Sequence, residues 1–274
     1  MNLIYINSCL WGERMSEKSV LLSIADGIAT ITLNRPGSLN AMNKALVDEL
    51  TLCLSLVNKD MTVNAVILTG NGKAFCAGGD LTYIETLSNV VEARQFIAQV
   101  GDFVAAIMNM DKPVIAMVNG VAAGAGFNLA LACDIVFCAR SARFAQSFIK
   151  VGLVADCGGM YLLPRIVGLH KAKELMFTAD LIDASAAHSL GLVNRVIEDE
   201  QLFAVTQEFA RKLANSAPLA LRLIKKTLNR NATVPLENLL QHEADMQTYC
   251  LQTDDHKEGV RAFKEKRNPQ FKGN

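Results

Sequence analysis

The sequence predicts an α/β fold with a helical C-terminal part, and three observations lead there. Short β-branched or apolar runs at 20–25, 28–33, 65–69, 114–118 and 134–139 alternate with stretches of helical spacing. That alternation describes a sheet covered by helices on at least one face. Two small-residue loops, Ala74-Phe-Cys-Ala-Gly-Gly-Asp80 and Asn119-Gly-Val-Ala-Ala-Gly-Ala-Gly-Phe127, each follow a short apolar strand. After about residue 205 the strand signal stops and only helical periodicity continues.

Taken in order, residues 20–25 and 28–33 alternate and are joined by Asp26-Gly27, a hairpin signal. A helix is predicted over about 43–58, with Leu46, Leu50, Cys53, Leu54 and Val57 on one face. The strand 65–69 stops at Gly70-Asn71-Gly72, and 91–110 is mostly helical. Between Lys112 and Arg140 the only charge is Asp134, a stretch long enough to span a bilayer. Pro113, Asn119, Gly120, Gly124, Gly126 and Asn128 interrupt it, so it reads as buried strand, turn, helix and strand. Ser216 and Pro218 open a helix carrying Ala220, Leu223, Ile224, Thr227 and Leu228, followed by helices at about 236–252 and 258–267.

Composition narrows the function. Of 274 residues 51% are hydrophobic, and 27 basic residues balance 27 acidic ones, which excludes a disordered chain, a fibre and a basic nucleic-acid coat. Seven scattered cysteines form no C-x-x-C pair, and His170, His188, His242 and His256 form no H-E-x-x-H. Neither a disulfide framework nor a metal site is expected, and a reducing compartment is the natural setting. Residues 1–10 lack a basic flank and a cleavage site, and Met15 is a second candidate start, so the expectation is a soluble, untargeted, cytoplasmic protein.

The two loops are the candidate site. Small residues let backbone N–H groups approach a ligand, and a helix N-terminus favours a developing anion. Each loop alone is better explained as a tight turn. The second is no dinucleotide fingerprint, because Leu129 stands where a glycine or alanine is needed, and neither G-x-x-x-x-G-K nor G-x-S-x-G occurs.

In combination these segments resemble the crotonase family, the enoyl-CoA hydratase/isomerase superfamily. The resemblance rests on Asn34-Arg-Pro through Leu39-Asn-Ala-Met, Ala-Phe-Cys-Ala-Gly-Gly-Asp, Lys112-Pro-Val-Ile-Ala-Met-Val-Asn-Gly and Ala130-Leu-Ala-Cys-Asp134. Gly152-Leu-Val-Ala-Asp-Cys-Gly-Gly159 and Leu163-Pro-Arg165 extend it. It implies a spiral core of ββα units bearing an acyl-CoA site at 17–205. It also implies a helical oligomerisation and CoA-contacting part at 206–274, and assembly as a homotrimer or a dimer of trimers. The implied substrate is an acyl-CoA thioester, with no further cofactor and no metal, while the charge balance and the interrupted apolar stretch argue against nucleic acid and membrane as partners.

The resemblance places the oxyanion hole on the backbone N–H groups of Ala77 and Ala125, and CoA contacts on Arg35, Leu39, Phe263 and Lys266. The last two lie in a tail, residues 256–274, where six basic residues face two acidic ones. Phe127, Asn128 and Phe148 are the expected substrate pocket, with walls from 81–90 and 144–151. The two glutamates that hydratases of the family carry fall on Asn128 and Phe148. Adding water across a double bond calls for one carboxylate to activate the water and a group to deliver a proton to carbon. Asp156 instead matches the single carboxylate of the isomerase branch, most closely the phenylacetate-pathway isomerases. One carboxylate suffices to take a proton from one carbon and return it to another, so an enoyl-CoA isomerase is expected. Dehalogenase chemistry would need a tryptophan where Phe148 stands, and the single Trp11 is distant in sequence. An enoyl-CoA hydratase and a non-catalytic acyl-CoA-binding or scaffold protein are the alternatives. RNA binding is disfavoured by the neutral charge balance. Asp134 reads as a hydrogen-bonded structural aspartate, Asp80 as a helix cap, and Asn128 equally as packing or substrate-orienting.

Overall fold

The computed structural model describes residues 18–230 and 234–274, so Met15 and Trp11 lie outside the described residues. The expected hairpin forms: β1 (Val20–Ala25) and β2 (Ile28–Leu33) pair antiparallel. Asp26 and Gly27 both take positive φ, 52° and 73°, as a two-residue turn between right-twisted strands requires. The next helix, α1 (Lys44–Lys59), is capped by Asn43, whose side chain accepts from the Leu46 N–H. It buries Leu46, Val47, Leu50, Leu54 and Val57 on one face.

A strand–strand–helix unit then recurs. The first comprises β3 (Ala65–Gly70), β4 (Ala74–Cys76), the single turn α2 (Leu81–Ile84) and α3 (Val90–Asn109). The second is β5 (Val114–Val118), β6 (Val121–Ala123) and α4 (Ala125–Leu131). The third is β7 (Ile135–Ala139), β8 (Arg143–Ala145), a short 3-10 turn (Ser147–Val151) and α5 (Gly159–Thr178). The first strand of each unit joins the large sheet, and the second joins a small one. With β9 (Ile182–Asp183), α6 (Ala184–Ser189) and β10 (Arg195–Ile197) the orders are β1-β2-β3-β5-β7-β10 and β4-β6-β8-β9. All neighbours are parallel except β1–β2 and β8–β9. Parallel strands covered on both faces explain why β3 and β5 are apolar and buried throughout.

The small sheet escapes the sequence reading because its strands are two or three residues long, too short for a period to register. Helix α5 escapes it too, since Pro164 and a non-helical Gly168 interrupt its spacing. A boundary at 205/206 is corrected by the structure: it falls within α7 (Leu202–Ala214), which packs on β2, β3, β5 and β7. Its buried residues Leu202, Thr206, Ala210 and Ala214 recur every four residues but are mostly small, which hid the helix. Helices α8 (Pro218–Arg230), α9 (Leu236–Gln252) and α10 (Asp254–Glu265) follow. The last starts one turn before the predicted 258, because the Thr253 hydroxyl caps it by accepting from His256 N–H.

Asp134, the lone charge of the apolar stretch, accepts from Val114 N–H at 2.7 Å and pairs with Lys225 of α8 at 2.8 Å. Burial pushes its carboxyl up, with Lys225 opposing that push. The ammonium also donates to the Ile107 and Lys112 carbonyls, both at 2.9 Å, so the pair pins α8 to the core. No helix among the described residues is long and apolar enough to cross a membrane. Removing one partner of a buried pair leaves the other charge unpaired, so Lys225→Met is expected to cost about 3–5 kcal/mol in urea unfolding.

Candidate active site

Beyond β4 the chain runs extended alongside Met42. The Met42 N–H donates to Gly78 O at 2.7 Å, and the Asp80 N–H donates to Met42 O at 3.0 Å. In such a parallel bridge residue 79 directs its own N–H to the opposite side. On that side β4 pairs with β6, and the Gly78 backbone lies against Ala123 and Ala125. A β-carbon at Gly78 would stand 2.9 Å from Ala123 O and 3.4 Å from Ala125 N, so the two loops meet only because this residue has none. Ala125 is the first residue of α4, where N–H groups have no intrahelical partner; the first to bond is Asn128 N, to Gly124 O.

One expected donor is therefore corrected. The Ala77 N–H donates to Leu39 O at 3.0 Å and is engaged. Gly79 N–H donates to no group among the described residues, and with Ala125 it offers two unengaged backbone donors where the two loops meet. The glycine-rich motif contained this donor, but its position depends on which side Met42 occupies.

Asp156 lies in the loop from Gly152 to Gly158, where Cys157 and Gly158 adopt positive φ, 51° and 72°, to turn the chain into α5. Its side chain is half-buried, and Oδ1 is buried with no hydrogen-bond partner among the described residues. Burial raises its carboxyl to about 6, against a smaller lowering by its own backbone N–H. Such a group is ionised near neutrality yet basic enough to take a proton from carbon. Its main-chain carbonyl accepts from Gly159 N–H and from Asn128 Nδ2, each at 2.9 Å. Asn128 Oδ1 in turn accepts from Gln146 Nε2 at 2.7 Å.

The remaining expected residues divide. Phe127 is 1% exposed and packs on Phe144 with ring centres 5.2 Å apart, so it belongs to the core and not to the pocket. Asn128 is fully buried, because α4 is enclosed on every side, and its side chain bonds the Asp156 main chain. Phe148 is half-buried with its ring within 3.8 Å of where a β-carbon on Gly124 would stand, so it walls the loop that carries Ala125. Arg35 is turned inward: its guanidinium pairs with Asp80 at 2.9 Å and donates to Ala41 O, tying together the loops at 35–42 and 77–80. Leu39 is 44% exposed. Phe263 (84% exposed) and Lys266 lie on α10 and at its end, and α10 packs chiefly on α9. Asp80 also caps α2 through the Tyr83 N–H. Gln146 was not singled out from sequence, since no motif marks it.

Two unengaged backbone donors where the loops meet, and a buried carboxylate oxygen on a loop tied to α4 through Asn128, suit a class of protein: one that removes a carbon-bound proton next to a carbonyl while holding the resulting oxyanion. The sequence model of the enoyl-CoA hydratase/isomerase family matches residues 23–274, and the chain belongs to that family. It is 40% identical over 257 residues to the 1,2-epoxyphenylacetyl-CoA isomerase of Escherichia coli, covering 93% of this chain and 98% of that protein. It is 38% identical over 258 residues to the crotonyl-CoA hydratase of Syntrophomonas wolfei, covering 94% and 99%. The solved enoyl-CoA hydratase of Bacillus anthracis superposes with a TM-score of 0.90 at 35% identity, over 93% of this chain and all of that one. The crotonase architecture and the phenylacetate-branch resemblance expected from the sequence both hold.

A β-carbon at Gly159 would stand 2.2 Å from Asn128 Nδ2. Gly159→Ala is therefore expected to force the Asn128 amide aside and to cost about 1–3 kcal/mol in urea unfolding, the usual range for overpacking.

Proposed function

We propose that this family member is an enoyl-CoA isomerase that shifts a double bond in an acyl-CoA thioester, with Asp156 as the only acid–base group. The observation that carries the reading is the buried, unpartnered Oδ1 of Asp156 at a site where Asn128 and Phe148 replace both carboxylates of a hydratase. The Asp156 carboxylate removes a proton from C2 of a 3-enoyl thioester. The electron pair then spreads through a dienolate whose oxygen is held by the N–H groups of Gly79 and Ala125. The protonated carboxyl returns the proton at C4, leaving the conjugated 2-enoyl thioester. Proton removal and return are redox-neutral, so CoA enters only as part of the substrate and no further cofactor is invoked.

Ile149, Val151, Leu153 and Val154, exposed on the segment leading to Asp156, form an apolar rim suited to an acyl chain or an aromatic ring. The 40% identity to a protein named for a ring-epoxide thioester makes such a substrate the second one to assay. Efficient hydration of crotonyl-CoA would favour the hydratase reading, and turnover of no thioester would favour a scaffold. We further propose a homotrimer or a dimer of trimers in the cytoplasm. Exposed Ile224, Leu228, Leu236, Leu240 and Tyr249 on α8 and α9 support assembly, with Phe263 and Lys266 serving CoA in a neighbouring subunit.

Three outcomes are expected. Isomerisation of a 3-enoyl-CoA outpaces hydration of the conjugated product, and Asp156→Asn lowers it by roughly 10²–10⁴-fold. The base acts ionised, so kcat/KM is full above pH about 6 and falls tenfold per pH unit below it. Light scattering at micromolar concentration returns a multiple of the 29.7 kDa chain mass; a monomer would overturn the assembly.

A further inference from the structure

We infer that Gln146 and Asn128 form a two-amide relay that positions Asp156 relative to the oxyanion donors. This rests on Asp156 being the proton shuttle proposed above. The polarity of the relay is determined by its last member. A main-chain carbonyl can only accept, so Asn128 must present Nδ2 to Asp156 O, at 2.9 Å. Its Oδ1 then faces the other way and can only accept, which obliges Gln146 to present Nε2, at 2.7 Å.

The burial makes the arrangement specific. Asn128 and Gln146 are 0% and 1% exposed, so neither amide has water to exchange with. Among the described residues Gln146 Oε1 is buried without a partner, and its Nε2 donates only to Asn128. An amide that leaves its acceptor unsatisfied in the interior is a worse filler than an apolar side chain of the same shape. Its one donated bond is what it contributes.

The relay also joins the right elements. Gln146 directly follows β8, Asn128 lies one turn into α4, and Asp156 stands in the loop before α5. Because α4 begins at Ala125, the helix that aims an oxyanion donor also grips the main chain of the base. Gly159 closes the arrangement from the other side, in contact with the Asn128 amide. The separation of base and enolate oxygen is thereby set by buried amides.

The ionisation of Asp156 reports on this positioning. No lysine, arginine, histidine or other carboxylate contributes to its shift; the titratable group that senses it is the Cys157 thiol, which burial pushes well above its ordinary value and keeps neutral. The raised carboxyl is therefore a measure of how far the loop is kept from water.

The test is steady-state kinetics with a 3-enoyl-CoA on the full-length Gln146→Met, Asn128→Leu and doubly substituted proteins, with Asp156→Asn as the reference. Each single variant keeps the shape but loses the relay. Each is expected to lower kcat roughly 10–100-fold, the range for groups that orient a reacting ligand, with KM little changed. The acid limb should move down from about 6 as the loosened loop admits water. Two links in series fail together, so the double variant should be no worse than Asn128→Leu. Gln146→Leu gives a second route if Gln146→Met does not fold: it is apolar, of similar size and has nothing to donate, and it should lose kcat equally. Variants that keep native kcat and the native acid limb, or whose losses multiply as independent packing defects, would overturn the relay. Full turnover by Asp156→Asn would instead overturn the assignment of the base.

Discussion

A carboxylate oxygen held out of water, with no partner among the described residues, is the constraint on which the site depends. In solution Asp156 would be a weak base, ionised far below neutrality. In the fold, burial moves it to about 6, and no neighbouring cation reverses the effect. The cost falls on stability. The folded state binds this proton more tightly than the unfolded chain, so the favourable contribution is complete below the ordinary carboxylate range and disappears as pH rises through about 6. Above that, the protein carries an ionised group in surroundings that disfavour it.

Keeping such a group in place calls for rigidity nearby, and the structure supplies it through close backbone approach. Gly78 lets the two donor loops meet, and Gly159 lets α5 begin against the Asn128 amide. Arg35 and Asp80 tie the first loop to the segment before α1, in a pair that is largely sheltered from water. The geometry of Gly79 follows from the Met42 bridge, which takes the hydrogen-bonding groups on one side of the loop and leaves those of residue 79 on the other. The donors are therefore fixed by neighbouring main chain, which needs no reorganisation as charge develops.

The repeated strand–strand–helix unit explains where these parts come from. The second strands of the first two units, β4 and β6, lie side by side in the small sheet, and each leads directly into one of the two donor loops. The third unit delivers Gln146 and then Asp156 from the far side. Three segments distant in sequence converge because each turns the same corner from the large sheet to the small one.

Much of this was already legible in the residues. The hairpin at Asp26-Gly27, the amphipathic α1, the apolar β3 and β5, and the helices α8 and α9 all follow from local periodicity and turn chemistry. The motifs around residues 74–80, 119–127 and 152–159 identified the family and singled out Asp156 as the candidate base. What local pattern could not decide was direction. Whether Ala77 or Gly79 offers its N–H depends on which strand lies alongside. Whether Phe127 faces a pocket or the core depends on what covers α4. Arg35 carries the charge of a phosphate ligand, but Asp80 and the Ala41 carbonyl reach it first. Gln146 had no signal because its partner is eighteen residues away on another element. Sequence determined which chemistry was available, since that resides in residue types and short-range spacing. Only the tertiary structure decided which groups remain free to perform it, because a hydrogen-bonding group is available only when no neighbour has claimed it.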